Sequence, residues 1–285
     1  MLKRHATIVA ALGVCCWAMA LAAAPAGAAE EAGWQVLEDG LELQHFVAPI
    51  PASEGDSKIT VLRIDPKRFK LALLSANAMK PGGPRTISAW VSEQKLVAAI
   101  NGGMFEPGGA TVGYGRAGGS VLNPAWKANY GALFALDPAG PGLAAPAILD
   151  ADCEDTKALE PRYGTVLQSM RMIGCKGENL WAKSERKWSA AALGIDGAGR
   201  VLFIHARAAW DMHDFIDNLQ GLPLGLARAM YLEGGPEASL AVRAGGVSLD
   251  EIGSYETGFN ENGNNARQWE LPLVIGAQRI EAGRQ

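Results

Sequence analysis

Cysteine is scarce in this chain, with four in 285 residues, and two of those, Cys15 and Cys16, fall inside the first 28. Only Cys153 and Cys175 remain, 22 residues apart. Histidine is equally sparse. His45, His205 and His213 follow no metal-binding spacing, and no stretch has the spacing of a calcium loop. Positive charge is not in excess either: 26 Lys and Arg stand against 30 Asp and Glu, and losing Lys3 and Arg4 with the first 28 residues moves the net charge from −4 to −6. That balance gives no bulk attraction for nucleic acid or anionic lipid. After residue 28 no apolar run is long enough to cross a bilayer, and no solenoid repeat is present.

The apolar run that does exist lies at the start. Lys3 and Arg4 precede an apolar core from Ala6 to Ala24, and Ala26-Gly27-Ala28 supplies a small-residue cleavage pattern. Residues 1–28 therefore read as a signal peptide, removed to leave a secreted or periplasmic protein with no stable membrane insertion. Pro25, Gly27, Glu30 and Glu31 favour cleavage over an anchor, and Gly13 and Val14 fit lipidation at Cys15 poorly. In an oxidising compartment Cys153 and Cys175 make a disulfide, closing a loop for roughly 3 kcal/mol. A catalytic thiol has no His nearby in sequence.

The rest reads as an α+β fold in a single domain, with mixed or antiparallel sheets and packed helices. Residues 29–57 form a lead segment without regular structure, and the domain runs over 58–280. Ile59–Ile64 and Phe69–Leu74 flank the turn Asp65-Pro66-Lys67-Arg68, which predicts a hairpin. Thr86 caps a helix carrying Ile87, Trp90 and Val91, which leads to a strand over 96–100. Residues 101–130 are rich in Gly, Asn and Pro and predict ordered loops. The turn Asp196–Arg200 joins two strands of a hairpin. A helix from Asp211 presents Met212, Phe215, Ile216 and Leu219 on one face and is followed by a strand over 229–232.

One arrangement occurs twice. Helix, buried strand, polar residue and two glycines appear at 86–103, ending in Asn101-Gly102-Gly103, and at 211–235, ending in Glu233-Gly234-Gly235. Each places an amide or carboxylate at the end of a rigid strand, with glycines that let the main chain approach a ligand. By contrast, Gly113-Tyr-Gly115-Arg-Ala-Gly118 matches the dinucleotide fingerprint without the strand before it or the helix after it, so no such site follows.

Val97 to Phe105, Leu193 to Ile204 and Tyr231 to Ser239 together resemble the phosphodiester glycosidase family in its strand with Asn-Gly-Gly-aromatic, its central hairpin and its Asp-Gly-Gly segment with a nearby Ser. The resemblance spans roughly 57–277, with the motifs in order. Glu233 stands where the family has Asp. Ser169-Met170 replaces a Gly-Pro pair, and Ser189-Ala190 an Arg-Thr, with Arg186 a few residues early. The resemblance implies an exported carbohydrate hydrolase that splits a sugar-1-phosphodiester into free sugar and phosphomonoester. Breaking that bond builds positive charge on the ring while phosphate departs as a weak base. Glu233 is the expected ring-side carboxylate with Glu106 as partner, and Asn101 completes the catalytic set. Gly102, Gly103, Gly234, Gly235, Tyr114, Gln168, Arg171, His205 and Ser239 are the candidates for holding sugar or phosphate. No cofactor is expected, though acids and Asn in the 101–106 and 233–237 loops could take a divalent cation. A non-enzymatic envelope-glycan binding protein and a glycosyl or phosphoryl transferase of exported polysaccharides are the alternatives.

Overall fold

The computed structural model describes Leu2, residues 33–79 and residues 82–281, and everything below concerns the compact unit that begins at Gly33. Apart from Leu2, the expected leader at 1–28 lies outside the described residues. Among the latter the strands are β1 Gln35–Glu38, β2 Leu41–Val47, β3 Lys58–Ile64, β4 Phe69–Ser75, β5 Ala98–Asn101, β6 Gly115–Ala117, β7 Ser120–Asn123, β8 Ala132–Pro138, β9 Ala147–Asp150, β10 Tyr163–Ser169, β11 Arg171–Ile173, β12 Trp188–Asp196, β13 Val201–Trp210, β14 Leu226–Gly234, β15 Ser239–Ala244, β16 Val247–Ile252 and β17 Leu273–Arg279. The helices are α1 Ile87–Glu93, α2 Thr156–Leu159 and α3 Met212–Gly221.

Three sheets result, ordered β1-β2-β3-β13-β12-β14-β11, β7-β6-β10-β8-β9 and β16-β15-β5-β17-β4. Their neighbouring strands pair antiparallel throughout, so the α+β expectation holds and its mixed-sheet variant does not arise. The sheets enclose one core: Leu62, Phe203 and Met230 of the first, Phe134 and Leu167 of the second, and Leu73, Ile100 and Ile275 of the third belong to a single buried cluster. Alternate residues face outward under covers. Val61, Ile204 and Tyr231 pack with Phe215, Ile216 and Leu219 of α3, and Ala99, Ala241 and Val274 pack with Ile87 and Trp90 of α1. Burying both faces contributes roughly 1.5–3 kcal/mol for each large apolar side chain, before chain entropy is set against it.

The expected helix caps are present. The Thr86 hydroxyl accepts from the Ala89 N–H, and the Asp211 carboxylate accepts from His213 and Asp214 N–H. Three expectations of local structure need correction. Regular structure starts at Gln35 rather than after residue 57, because Asp39-Gly40, with Gly40 at φ +82°, turns β1 into β2 and Leu41 and Leu43 alternate into the core. Residues 59–74 are not a hairpin. Strand β3 pairs with β2 and β13 while β4 pairs with β17, so Asp65–Arg68 carries the chain between sheets. Alternation fixes which face is buried, not which neighbour is paired. Within 101–130, β6 and β7 form a short hairpin over the glycine fingerprint, which leaves no helix there to receive a dinucleotide.

A disulfide joins Cys153 beyond β9 to Cys175 beyond β11. Replacing both cysteines with Ser is expected to lower stability by about 2–4 kcal/mol, measured by denaturant midpoint. An unchanged midpoint would show that the surrounding packing already holds these loops.

Candidate active site

The segments that carry the two glycine doublets join through Asn101 and the turn that follows Gly235. Glu233 is the last residue but one of β14, and Gly235–Glu237 make one tight turn. The chain then leaves the seven-stranded sheet and enters the five-stranded sheet as β15, which pairs with β5 (Leu240 with Ile100, Ala241 with Ala99). Strand β5 ends at Asn101. Its side chain, 1% exposed, donates from Nδ2 to the Glu237 carbonyl (2.9 Å) and accepts from the Ser239 N–H (2.7 Å). The Ser239 hydroxyl donates to the same Glu237 carbonyl (3.0 Å), and His205 Nε2 lies 3.2 Å from the Ala238 carbonyl.

Glu233 keeps part of its surface in contact with solvent but is ringed by protein on all sides. Burial, reinforced by the charges of Glu237 and Glu256 and opposed by the Gly234 N–H that donates to its Oε1 (3.1 Å), pushes its carboxyl up to about 8. Glu237 and Glu256 are also held above the usual carboxylate range, chiefly by burial. At neutral pH Glu233 is therefore mostly protonated.

A bulge contributes to this placement. Ala191 and Ala192 of β12 are consecutive, yet they pair with Glu233 and Tyr231, so Leu232 is an extra residue in β14. Such an insertion breaks the strict alternation of side chains and re-aims the residue beside it.

Aromatic side chains wall the site. Trp181 lies 5.7 Å from Tyr231 and 6.3 Å from Trp188 between ring centroids, and Arg186 covers Trp188 at 5.8 Å. A Cβ on Gly234 would collide with the Tyr231 hydroxyl and lie 2.5 Å from Trp188 Cδ1, while Gly235 holds φ +63° against Glu256. Gly234→Ala is accordingly expected to displace the wall, costing about 1–3 kcal/mol and changing the tryptophan fluorescence. An unaltered spectrum and midpoint would contradict that packing account.

The remaining expected residues divide into those at the site and those engaged elsewhere. Glu106 is exposed on the turn beside the Phe105–Thr111 bridge, and both its charge and that of Glu233 act on Tyr130, whose hydroxyl is raised mainly by burial. Gly102 is needed for close approach to β17, where a Cβ would sit 2.7 Å from the Val274 nitrogen, and its N–H donates to the Leu273 carbonyl (3.0 Å). Gly103 needs its φ of +97°. Gln168 is buried, accepts from Tyr114 and Lys127 N–H and donates to the Lys127 and Tyr130 carbonyls, so it fixes the loop that presents Tyr130. Arg171 is bound by Asp150 (2.6 Å) and Asp152 (2.5 Å). Tyr114 donates to Glu160 (2.7 Å) and packs on Trp126, pointing to that cluster. His205 is buried and lowered to about 4, first by desolvation, and so stays neutral beneath the turn.

Sequence reasoning missed Tyr130, Trp181, Trp188, Tyr231 and Glu256, and reached Glu237 only as one of the acids of the 233–237 loop that could take a divalent cation. Glu237 was within reach, four residues past Glu233 in the same motif. Glu256 joins through contacts far from the motif in sequence and carries no local signal. For metals, the carboxylate and sulfur ligand atoms brought within 4.8 Å of one another among the described residues belong to Asp150, Cys153 and Cys175, and both sulfurs are in the disulfide.

A three-sheet fold with an acid-rich, aromatic-walled site at the junction of two sheets has relatives. The chain belongs to the phosphodiester glycosidase family, whose model matches residues 94–277. Its structure is similar to the catalytic domain of zebrafish N-acetylglucosamine-1-phosphodiester alpha-N-acetylglucosaminidase auto-inhibited by its pro-peptide (TM-score 0.58, 15% identity, 87% of this chain and 86% of that one). It is also similar to a hypothetical protein from Synechocystis (TM-score 0.59, 14% identity, 85% of this chain and 62% of that one). No curated protein sequence matches it. At these identities the structural likeness shows a shared fold.

Proposed function

We propose that this protein hydrolyses the bond between the anomeric carbon of a sugar and a phosphodiester oxygen, releasing free sugar and a phosphomonoester. The observation that carries the reading is the Glu233 carboxyl, held up to about 8 at a junction it shares with two more raised carboxyls and an aromatic wall. A neutral Glu233 lets a phosphodiester anion approach an acidic site and hydrogen-bonds the leaving oxygen as it takes up the electrons of the broken C–O bond. Glu237 or Glu256 supplies the carboxylate that faces the developing positive ring and takes the proton of the attacking water, which delivers its oxygen to the anomeric carbon. Carboxyls pushed to different protonation states divide acid from base work in this way. Trp181 and Trp188 offer faces for the pyranose, backed by the buried Tyr231.

Asn101 and Ser239 act as positioning residues for the turn after Glu233, and Gln168 for Tyr130. The reaction as proposed needs no cofactor. The Cys153–Cys175 disulfide favours an exported protein, and among the described residues no helix is long and apolar enough to cross a membrane.

The test is a panel of sugar-1-phosphodiesters in ¹⁸O water, reading products by mass. Label in the sugar's anomeric hydroxyl supports the reading. Label in phosphate would mean cleavage at phosphorus and would overturn it. Binding without turnover would favour the glycan-binding alternative, and transfer of the sugar to an added acceptor the transferase.

A further inference from the structure

The Cys153–Cys175 disulfide has a third group beside it. A carboxylate oxygen of Asp150 and the two sulfurs lie within 4.8 Å of one another. Asp150 closes β9 and is 1% exposed. Its Oδ1 accepts from Arg171 Nη1 (2.6 Å) and from the Asp152 N–H (2.9 Å), whereas its Oδ2 is buried and takes no hydrogen bond. A carboxylate oxygen shielded from water is destabilising unless a positive or hydrogen-bonding partner reaches it.

The surroundings are those of a metal ligand set. The Cys153 and Glu154 N–H groups both donate to the Asp150 carbonyl (3.0 and 2.9 Å), so residues 150–154 fold into one turn that brings Cys153 back beside Asp150. Two intervening residues is the spacing at which a single turn delivers a pair of ligands to zinc. A second turn, closed by the Gly177 N–H on the Gly174 carbonyl (3.0 Å), presents Cys175. Arg171 pairs with Asp150 through Oδ1 and with Asp152 (2.5 Å), which fixes the Asp150 carboxylate from its outer side, as ligating carboxylates are held. Asp152, Cys153 and Glu154 line a hollow of about 560 Å³ and Cys153 is exposed, so a reductant and an ion both have a way in.

We infer that, once the disulfide is reduced, Cys153, Cys175 and Asp150 bind one thiophilic divalent cation, with Zn²⁺ fitting the donor set, and that reoxidation expels it. A dithiol supplies the reduction: its two thiols pass two electrons and two protons to the Cys153–Cys175 bond and close into a disulfide of their own. The cation then displaces the two thiol protons, and water takes the fourth position. The sulfurs need to part by only roughly 2 Å to take bonds of about 2.3 Å at tetrahedral angles. Two thiolates favour zinc over calcium or magnesium, which take oxygen donors. In the reduced chain the metal ties the loop after β9 to the loop after β11, as the disulfide does in the oxidised chain. None of this depends on the hydrolase reading.

The test uses the full chain with Cys15→Ser and Cys16→Ser, so that Cys153 and Cys175 supply the only thiols. The protein is reduced with dithiothreitol, freed of it without oxygen, and titrated with Co²⁺ and then Zn²⁺. One Co²⁺ per chain is expected, with a near-ultraviolet sulfur-to-cobalt charge-transfer band and the visible bands of a tetrahedral ion, both bleached by one equivalent of Zn²⁺. The oxidised chain is expected to give neither. Asp150→Asn is expected to weaken Zn²⁺ binding at least about tenfold, and Asp150→Cys to strengthen the charge-transfer band in proportion to the added sulfur. A reduced chain without the bands, one metal shared between two chains, or equal binding by the oxidised chain would overturn the site. So would Asp150 variants that leave affinity and band unchanged, or binding that persists undiminished in urea, where the turn at 150–154 is lost.

Discussion

Glu233→Gln is expected to reduce the proposed sugar release by about 10²–10⁴-fold, as loss of a positioned acid does, and to remove the alkaline limb expected of the parent near pH 8. The value follows from the Glu233 carboxyl, raised to about 8 first by burial and then by Glu237 and Glu256. As pH rises through that value Glu233 ionises, so on the proposed mechanism the parent loses its proton donor and adds a negative charge beside the phosphodiester. A parent whose rate instead climbs through pH 8 would assign the active form to ionised Glu233 and reverse the proposed roles.

The same group sets a sign for stability. A carboxyl raised in the folded state makes the native protein bind more protons than the unfolded chain between about 4.5 and 8, so stability falls as pH rises across that window. Gln cannot ionise. The variant is therefore expected to be more stable than the parent at pH 8 by on the order of 1–3 kcal/mol, with the gain vanishing below the unfolded-state value. Denaturant midpoints at pH 4 and pH 8 measure it, and a gain of equal size at both would point to packing rather than charge.

Asn101→Ala is the second large effect. The substitution leaves the Ser239 N–H without its acceptor and takes one donor from the Glu237 carbonyl, inside a site where Asn101 is 1% exposed. Unsatisfied buried groups cost about 1–3 kcal/mol each, so a loss of roughly 2–4 kcal/mol is expected. Because the Asn101 amide pins the turn that spaces Glu237 from Glu233, kcat is expected to fall by about 10²-fold or more, and the alkaline limb to shift as the two acids change separation. A purely structural Asn would lower the midpoint and leave the pH profile of the surviving activity in place. Asn101→Asp keeps an acceptor for Ser239 but sets a carboxylate against the Glu237 carbonyl, so it is expected to rescue stability in part and the profile not at all.

Much of this molecule follows from its local sequence. Thr86 and Asp211 start the helices they were expected to start, the turn at 196–200 joins β12 to β13, and each polar-Gly-Gly motif sits at the end of a buried strand. These are short-range effects, in which caps, turn residues and apolar alternation act within a few positions of the chain. The Asp39-Gly40 hairpin is of the same short-range kind. The junction of Asn101 with the turn after Gly235 was not legible, because it arises when the chain changes sheets there and β15 settles beside β5. Nor were the engagement of Arg171 by Asp150 and Asp152, the four hydrogen bonds that turn Gln168 from a ligand candidate into a brace, or the arrival of Glu256 beside Glu233.

What the amino-acid order determined by itself was the set of elements and the chemical types waiting at their ends. Only the tertiary structure decided which of those groups share a site and in what protonation state. Pairing partners are chosen by the packing of three sheets on one core, and a carboxyl's proton affinity depends on the solvent and charge that packing removes or brings near.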